Sequence, residues 1–254
     1  MTNPSTSRID LDGKVAVVTG ASRGLGRAIA RTLCASGCHV LLNYAHSAEV
    51  AAQTVAELSG LRGTAAAIQG DVREPEALAV LLGRVQTEHD RLDIFVHNAA
   101  TFRPMLALAP DPEAFHREQQ LALNPLLYGA PTLAKTMPDG GRVIAISSNG
   151  ARGVIPNYVA TGVAKAALES LIRYLAVDFG PLGITVNAVA TALLDKGPDT
   201  TNPEIAGFLG SRTPNGRLTT PDDVADVVGL LCTPQARWLQ GQVITVDGGL
   251  GLRS

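Results

Sequence analysis

The chain reads as one α/β domain built on a doubly wound parallel sheet, and three observations carry that reading. Short apolar runs alternate with longer amphipathic ones along nearly the whole length, the pattern of strands joined by crossover helices that cover both faces of a parallel sheet. The strand candidates are apolar throughout rather than at every second residue, as strands buried on both faces are. Composition agrees: 254 residues, 46% of them hydrophobic and 17% charged, are too apolar and too weakly charged for a disordered chain and enough to bury a large core.

Taken in order, seven runs rich in Val and Ile predict strands at 15–19, 39–43, 64–69, 93–97, 142–147, 184–188 and 243–246. Amphipathic runs between them predict helices at 25–36, 48–59, 74–88, 112–136 with a break near Pro125, 158–179 and 221–232. The first helix ends at Gly37. One long irregular stretch, 190–220, carries Pro198, Pro203 and Pro214 and has room for a short helix at 204–209. A loop that long reads as a lid over a substrate. No repeat, low-complexity run or linker interrupts the pattern, so the expectation is a single domain over 1–254 with that lid.

Charge and composition exclude several functions. With 21 Lys and Arg against 23 Asp and Glu the net charge is −2, so no basic field points to nucleic acid or to an anionic membrane. Thirty-six Ala and 26 Gly make about a quarter of the chain, against 4% aromatics. Such a chain packs its elements closely and brings backbone near a ligand, rather than stacking bases on rings. Cys34, Cys38 and Cys232 have no disulfide or zinc spacing, and the five histidines form no metal-binding pair. They read as small buried thiols, and no metal is expected. The segment from Met1 to Asp10 lacks the apolar core of a signal peptide, and no run of about 18 apolar residues exists to span a membrane. The expected location is the cytoplasm.

Function enters at the first strand–helix turn, which reads Thr19-Gly20-Ala21-Ser22-Arg23-Gly24-Leu25-Gly26. Gly20, Gly24 and Gly26 allow a tight turn and let backbone N–H groups approach a pyrophosphate at a helix N-terminus. The cofactor-binding candidates here are Gly20, Ser22, Arg23, Gly24, Leu25 and Gly26. A site for NAD places an Asp or Glu at the end of the second strand to accept from the ribose 2′-hydroxyl. This chain reads Asn43-Tyr44-Ala45-His46-Ser47 there, with no carboxylate before Glu49. Arg23, His46 and Ser47 suit a 2′-phosphate instead, so the expected cofactor is NADP(H).

A second group of residues points to the chemistry. Asp71-Val72, His97-Asn98-Ala99-Ala100, Asn124, Ser147-Ser148, Tyr158 with Lys165, and Val246-Asp247-Gly248-Gly249 follow the glycine turn in that order. The set resembles the short-chain dehydrogenase/reductase family over nearly the whole chain. The resemblance implies a seven-stranded Rossmann-type sheet and frequent assembly as a tetramer. It also implies a centre of Tyr158, Lys165 and Ser148 supported by Asn124. By the same likeness Asp71 and Val72 flank the adenine, and Asn98, Ala99 and Ala100 line the cofactor.

The residue types make chemical sense by themselves. Hydride addition to a polarised double bond leaves negative charge on oxygen, and a donor must sit where that charge develops. A tyrosine supplies it once a lysine cation lowers its pKa from about 10, and a serine hydroxyl helps hold the substrate oxygen.

Spacing is where the sequence departs from the family's common pattern, which has Lys four residues after the Tyr. No tyrosine here has that neighbour, and position 162 is Gly. Tyr128–Lys135 and Tyr158–Lys165 are each seven apart, close to two helical turns. Tyr158–Lys165 is preferred because it follows the strand carrying Ser148 at the carboxyl edge, where ligands bind in such sheets. The spacing and the run 150–169 resemble the enoyl-acyl carrier protein reductases of this family. Ser148, ten residues before Tyr158, is closer to their NADPH-using branch, enoyl reductase III. The Pro-Gly usual after the sixth strand is replaced by Ala190-Thr191.

Three readings compete: an NADPH-dependent enoyl-thioester reductase, a carbonyl reductase or alcohol dehydrogenase, and a dinucleotide-binding protein without catalysis. The first is preferred on the spacing. Its partner is a small acyl or carbonyl substrate, with Leu193, Leu194, Ile205, Phe208 and Leu209 available to cover an acyl chain. If that substrate rides on an acidic carrier protein, Arg103, Arg152, Arg212 and Arg217 are candidates to rim the mouth. The apolar helices within 106–135 and 158–179 suit subunit pairing, as a dimer or tetramer.

Overall fold

The computed structural model describes residues 9–197, 200 and 202–252. Strands β1 (Val15–Val18), β2 (His39–Tyr44), β3 (Thr64–Gln69), β4 (Ile94–His97), β5 (Gly141–Ser148), β6 (Ile184–Thr191) and β7 (Val243–Val246) form one sheet in the order β3-β2-β1-β4-β5-β6-β7. Every pairing is parallel. The helices are α1 (Gly24–Ala35), α2 (Ala48–Glu57), α3 (Pro75–His89), α4 (Pro112–Leu127), α5 (Ala130–Thr136), α6 (Val159–Phe179), α7 (Pro203–Arg212) and α8 (Pro221–Cys232).

Alternate side chains of the inner strands enter two separate cores. Ala16, Val18, Val40 and Val96 pack with α1 and α8 on one face. Val15, Val17, Leu41 and Phe95 pack with α3, α4 and α6 on the other. A strand covered on both faces needs both of its side-chain rows apolar, which explains the unbroken apolar runs. The two edge strands differ. In β3 only Ile68 is buried and β7 is half-buried, because nothing pairs beyond them and little covers them.

The sheet's winding reverses between β1 and β4, which opens a crevice at their carboxyl ends. The long β5–β6 ladder runs from Gly141 opposite Ile184 to Ser148 opposite Thr191. It delivers both of those hydroxyls to the same edge.

Three local expectations change. The break expected near Pro125 falls at Tyr128 and Gly129, and α4 runs on through Pro125. A proline inside a helix removes its own N–H donor and crowds the carbonyl four residues back, yet α4 continues past it. At Gly129 a Cβ would lie 2.2 Å from the Pro125 carbonyl oxygen, so the turn there requires glycine. Tyr158 is the N-cap of α6 rather than its first residue. The short helix expected at 204–209 is the longer α7, capped by the Asn202 carboxamide oxygen, which accepts from the Glu204 and Ile205 N–H groups. Of the stretch expected to form a lid, Pro198 lies outside the described residues; Leu194 pairs with Thr219 and pins its two ends together.

Cys34, Cys38 and Cys232 are free and buried. Among the described residues no helix is long and apolar enough to cross a membrane. Leu127, Tyr128, Tyr174 and Val177 are exposed on and beside α4 and α6, the helices expected to pair subunits.

Candidate active site

A cavity of about 1770 Å³ follows the carboxyl edge of the sheet. Its middle is the glycine turn. Gly20 has φ +62°, and a Cβ there would lie 2.9 Å from the Cα of Ala99. A Cβ on Gly26 would lie 2.3 Å from the Gly20 carbonyl oxygen and 2.6 Å from Nδ2 of Asn98. That Nδ2 donates to the carbonyls of Thr19 and Gly20 at 3.0 and 3.1 Å. The Thr19 hydroxyl accepts from the N–H groups of Asn98 and Ala99, each at 3.0 Å. Asn98 therefore clamps the turn to the end of β4. Gly24 has φ +55° with nothing within 4 Å of its Cβ position, and it faces the cavity. Its neighbour Arg23 caps α1 without a side-chain hydrogen bond. The first N–H groups of α1 thus meet open space wide enough for backbone to touch a ligand, as a pyrophosphate requires.

One end of the cavity is basic and partly open to water. Arg23, His46, Ser47, Asp71, Val72 and Arg73 line it, as do Ser22, Leu25, Ala99 and Ala100 nearer the turn. Ser47 caps α2 without using its hydroxyl as a side-chain cap. The Arg73 guanidinium grips the Asp71 carboxylate with two nitrogens, holding Asp71 below the usual carboxylate range. Val72 is buried.

At the other end Ser148 and Lys165 are buried and Tyr158 is half-buried. All three line the cavity. Lys165 is 5% exposed and donates to the Ile146 carbonyl at 2.7 Å. Burial brings its ammonium down to about 8, against the opposing pull of Glu118. The Tyr158 phenol is raised, not lowered as the sequence suggested: burial raises it, a hydrogen bond from Ser148 works the other way, and the Glu118 charge raises it again. The Ser148 hydroxyl also accepts from the Gly150 N–H at 3.1 Å. Gly162, where most members carry Lys, stands directly under this arrangement. A Cβ there would lie 2.8 Å from the Gly150 carbonyl oxygen and 3.5 Å from the Tyr158 ring. The close approach leaves no room for a long side chain, and the buried lysine of this helix is Lys165, about one turn further on. Tyr128 is exposed at the end of α4 and Lys135 lies exposed on α5, so the other seven-residue pair spans two helices.

Asn124 is not brought to this end. Its Nδ2 donates to the Arg73 carbonyl at 2.9 Å, and it does not line the cavity. Two polar groups that the sequence did not single out as site residues stand here. Glu118 on α4 is 5% exposed and accepts from Thr101 at 2.5 Å and Thr161 at 3.4 Å. Thr191, at the end of β6, lines the cavity with a buried Oγ1 that has no hydrogen-bond partner among the described residues. Its place in the substituted Ala190-Thr191 pair was the available signal. The arginines expected at the mouth disperse: Arg103 lines the cavity, while Arg152 pairs with Glu169, Arg217 with Asp223, and Arg212 lies over the Phe208 ring.

A phosphate-binding turn at the switch point of a parallel sheet, with Ser, Tyr and Lys gathered beside it, defines a dinucleotide-dependent oxidoreductase. Residues 20–251 match the family model described as enoyl-(acyl carrier protein) reductase. The chain is 39% identical to 1-cyclohexenylcarbonyl-CoA reductase of Streptomyces collinus, over 94% of this chain and 87% of that one. It superposes on a short-chain dehydrogenase of Burkholderia cenocepacia in complex with NADP with a TM-score of 0.88 at 33% identity, covering 96% of this chain and 99% of that one. LugOII, a promiscuous reductase that catalyses keto-reduction at C1 during lugdunomycin biosynthesis, matches with TM-score 0.88 and 33% identity, covering 97% and 100%. The chain belongs to the short-chain dehydrogenase/reductase family, whose members bind a nicotinamide dinucleotide.

Proposed function

We propose that the protein is an NADPH-dependent reductase of the C=C bond of an enoyl thioester. The observation that carries this reading is the seven-residue Tyr158–Lys165 spacing, with Gly162 packed against Gly150 and Ser148 beside the phenol. The 39% identity to a reductase named for an unsaturated CoA thioester supports it. NADPH as the cofactor is supported by Arg23, His46 and Ser47 at the basic end and by the missing carboxylate after β2.

When bound, the nicotinamide supplies the hydride. The work of this chain's residues follows from their positions. The glycine turn and the N-terminus of α1 hold the pyrophosphate. Arg23, His46 and Ser47 would hold the 2′-phosphate, and Thr191 Oγ1 would offer a hydrogen bond near the reacting end. Tyr158 and Ser148 would direct hydroxyls at the thioester oxygen, where negative charge would develop on addition at the β-carbon and be discharged when the α-carbon takes up a proton. Lys165 supplies positive charge beside the phenol in a site screened from water, where it counts for most. The Phe102 ring, 5.6 Å from that of Tyr158, covers the phenol.

The second reading, reduction of a carbonyl to an alcohol, is supported by the Ser148–Tyr158 pair and by the likeness to LugOII. NADPH oxidation followed with matched enoyl and β-keto thioesters separates the two. Turnover of the enoyl substrate is expected; turnover of the keto substrate alone overturns the first reading.

A further inference from the structure

Glu118 is a buried carboxylate beside the reacting end that no step above uses. It is held on both oxygens by threonines that line the cavity: Thr101 donates to Oε1 at 2.5 Å and Thr161 to Oε2 at 3.4 Å. Thr161 stands on α6 three residues after Tyr158 and four before Lys165, on the helix edge that carries both. Leu121 and Ala122, three and four residues after Glu118 on α4, sit close enough to His97 for their carbonyls to act on its ring. One face of α4 therefore turns Glu118 toward β4 and α6. Asn124, six residues on, is rotated about 120° away from that face and reaches Arg73 instead.

The ionisable groups that face Glu118 from its neighbours are few. Lys165 on α6 and Tyr158 at its N-cap both feel its charge. His97 on β4 is held neutral by burial and by Lys165, down to about 3. On its own helix, Arg117 is engaged by Glu113 at the surface. Among the described residues no ion pair within 4.0 Å takes up Glu118 or Lys165 directly. A buried ammonium and a buried carboxylate whose close partners are all neutral each need the other's charge.

We propose that Glu118 is a positioning residue for the reaction: its carboxylate balances the buried Lys165 ammonium and keeps it charged beside Tyr158, the support from α4 that Asn124 does not give. The inference rests on the reading of Tyr158 and Lys165 as the reacting pair.

The test measures kcat against pH, with NADPH and a thioester that the wild type turns over, for the wild type, Glu118→Gln, Glu118→Asp and Tyr158→Phe. Removing the carboxylate favours the neutral lysine and the ionised phenol, so the alkaline limb in Glu118→Gln moves to lower pH. The expected displacement is about one pH unit, a tenfold loss of rate above the limb. Glu118→Asp keeps the charge and returns the limb toward its wild-type position. A limb in Glu118→Gln that coincides with the wild type overturns the proposal. Tyr158→Phe with wild-type turnover instead overturns the reading of the reacting pair. If Glu118→Gln does not fold, the double variant with Lys165→Met decides the matter. Charge balance predicts that neutralising both restores folding; a double variant that also fails to fold overturns it.

Discussion

At the phosphate end of the cavity the charged side chains stay partly in water, whereas at the reacting end they are shut away from it. Arg27 and Arg31 keep about half of their side-chain surface exposed and Arg73 about a third, and each has a carboxylate partner at the rim. Lys165 and Glu118 are 5% exposed. Charges that remain hydrated are cheap to hold and easily screened, so they act on affinity and yield to salt. Charges that have lost their water act strongly on one another, so moving one alters the protonation of the next. On the proposed reading, one kind of electrostatics collects a polyanion and another stabilises charge that exists only during reaction.

The largest effect expected from this contrast is at Tyr158. Tyr158→Phe removes one hydroxyl and leaves the ring against Gly150 and Phe102. Loss of a positioned proton donor lowers kcat by about 10²–10⁴-fold, while the melting temperature and cofactor affinity stay near wild type. A rise in KM with kcat unchanged would place Tyr158 among binding groups and break the contrast.

Arg23→Ala tests the open end. Loss of a charge-assisted hydrogen bond to a phosphate weakens NADPH by about tenfold, leaves NADH and kcat nearly unchanged, and shrinks the dependence of the NADPH KM on salt. Equal weakening of both cofactors would mean that Arg23 meets the pyrophosphate rather than the 2′-phosphate.

The two ends also differ in how far they could be read from sequence. The turn 19–26 was legible because strand, glycines and helix are contiguous, and φ near +60° at Gly20 and Gly24 requires glycine. Tyr158–Lys165 was legible as a spacing on one helix. Asn124 was named from the resemblance and Glu118 was not named, because which of the two faces β4 and α6 depends on the rotation of α4 about its axis, which packing sets. The break at Gly129 escaped for a related reason: the sequence offers Pro125 as the obvious breaker, but the backbone collision that needs glycine lies one turn later. The exposure of β3 and β7 depends on which strands end up at the edges, a property of the whole winding order rather than of either run.

Thr191 supplies the smallest effect and a difference in sign. Its Oγ1 is buried in the cavity wall at the end of β6 with no hydrogen-bond partner among the described residues, and a buried hydroxyl without a partner is costly. Thr191→Val keeps the shape and removes that group. The cofactor-free protein should then be as stable as the wild type, or more stable by up to about 1 kcal/mol, read as a thermal midpoint. Cofactor affinity should move the other way, weakened by one neutral hydrogen bond of about 0.5–1.5 kcal/mol, roughly two- to tenfold, read by nucleotide fluorescence titration. A structural threonine would give a loss of stability and no change in affinity. Only a hydroxyl kept for a ligand gives unchanged or higher stability together with weaker binding, and the effect should be the same at high salt, unlike that of Arg23→Ala, because no charge is involved.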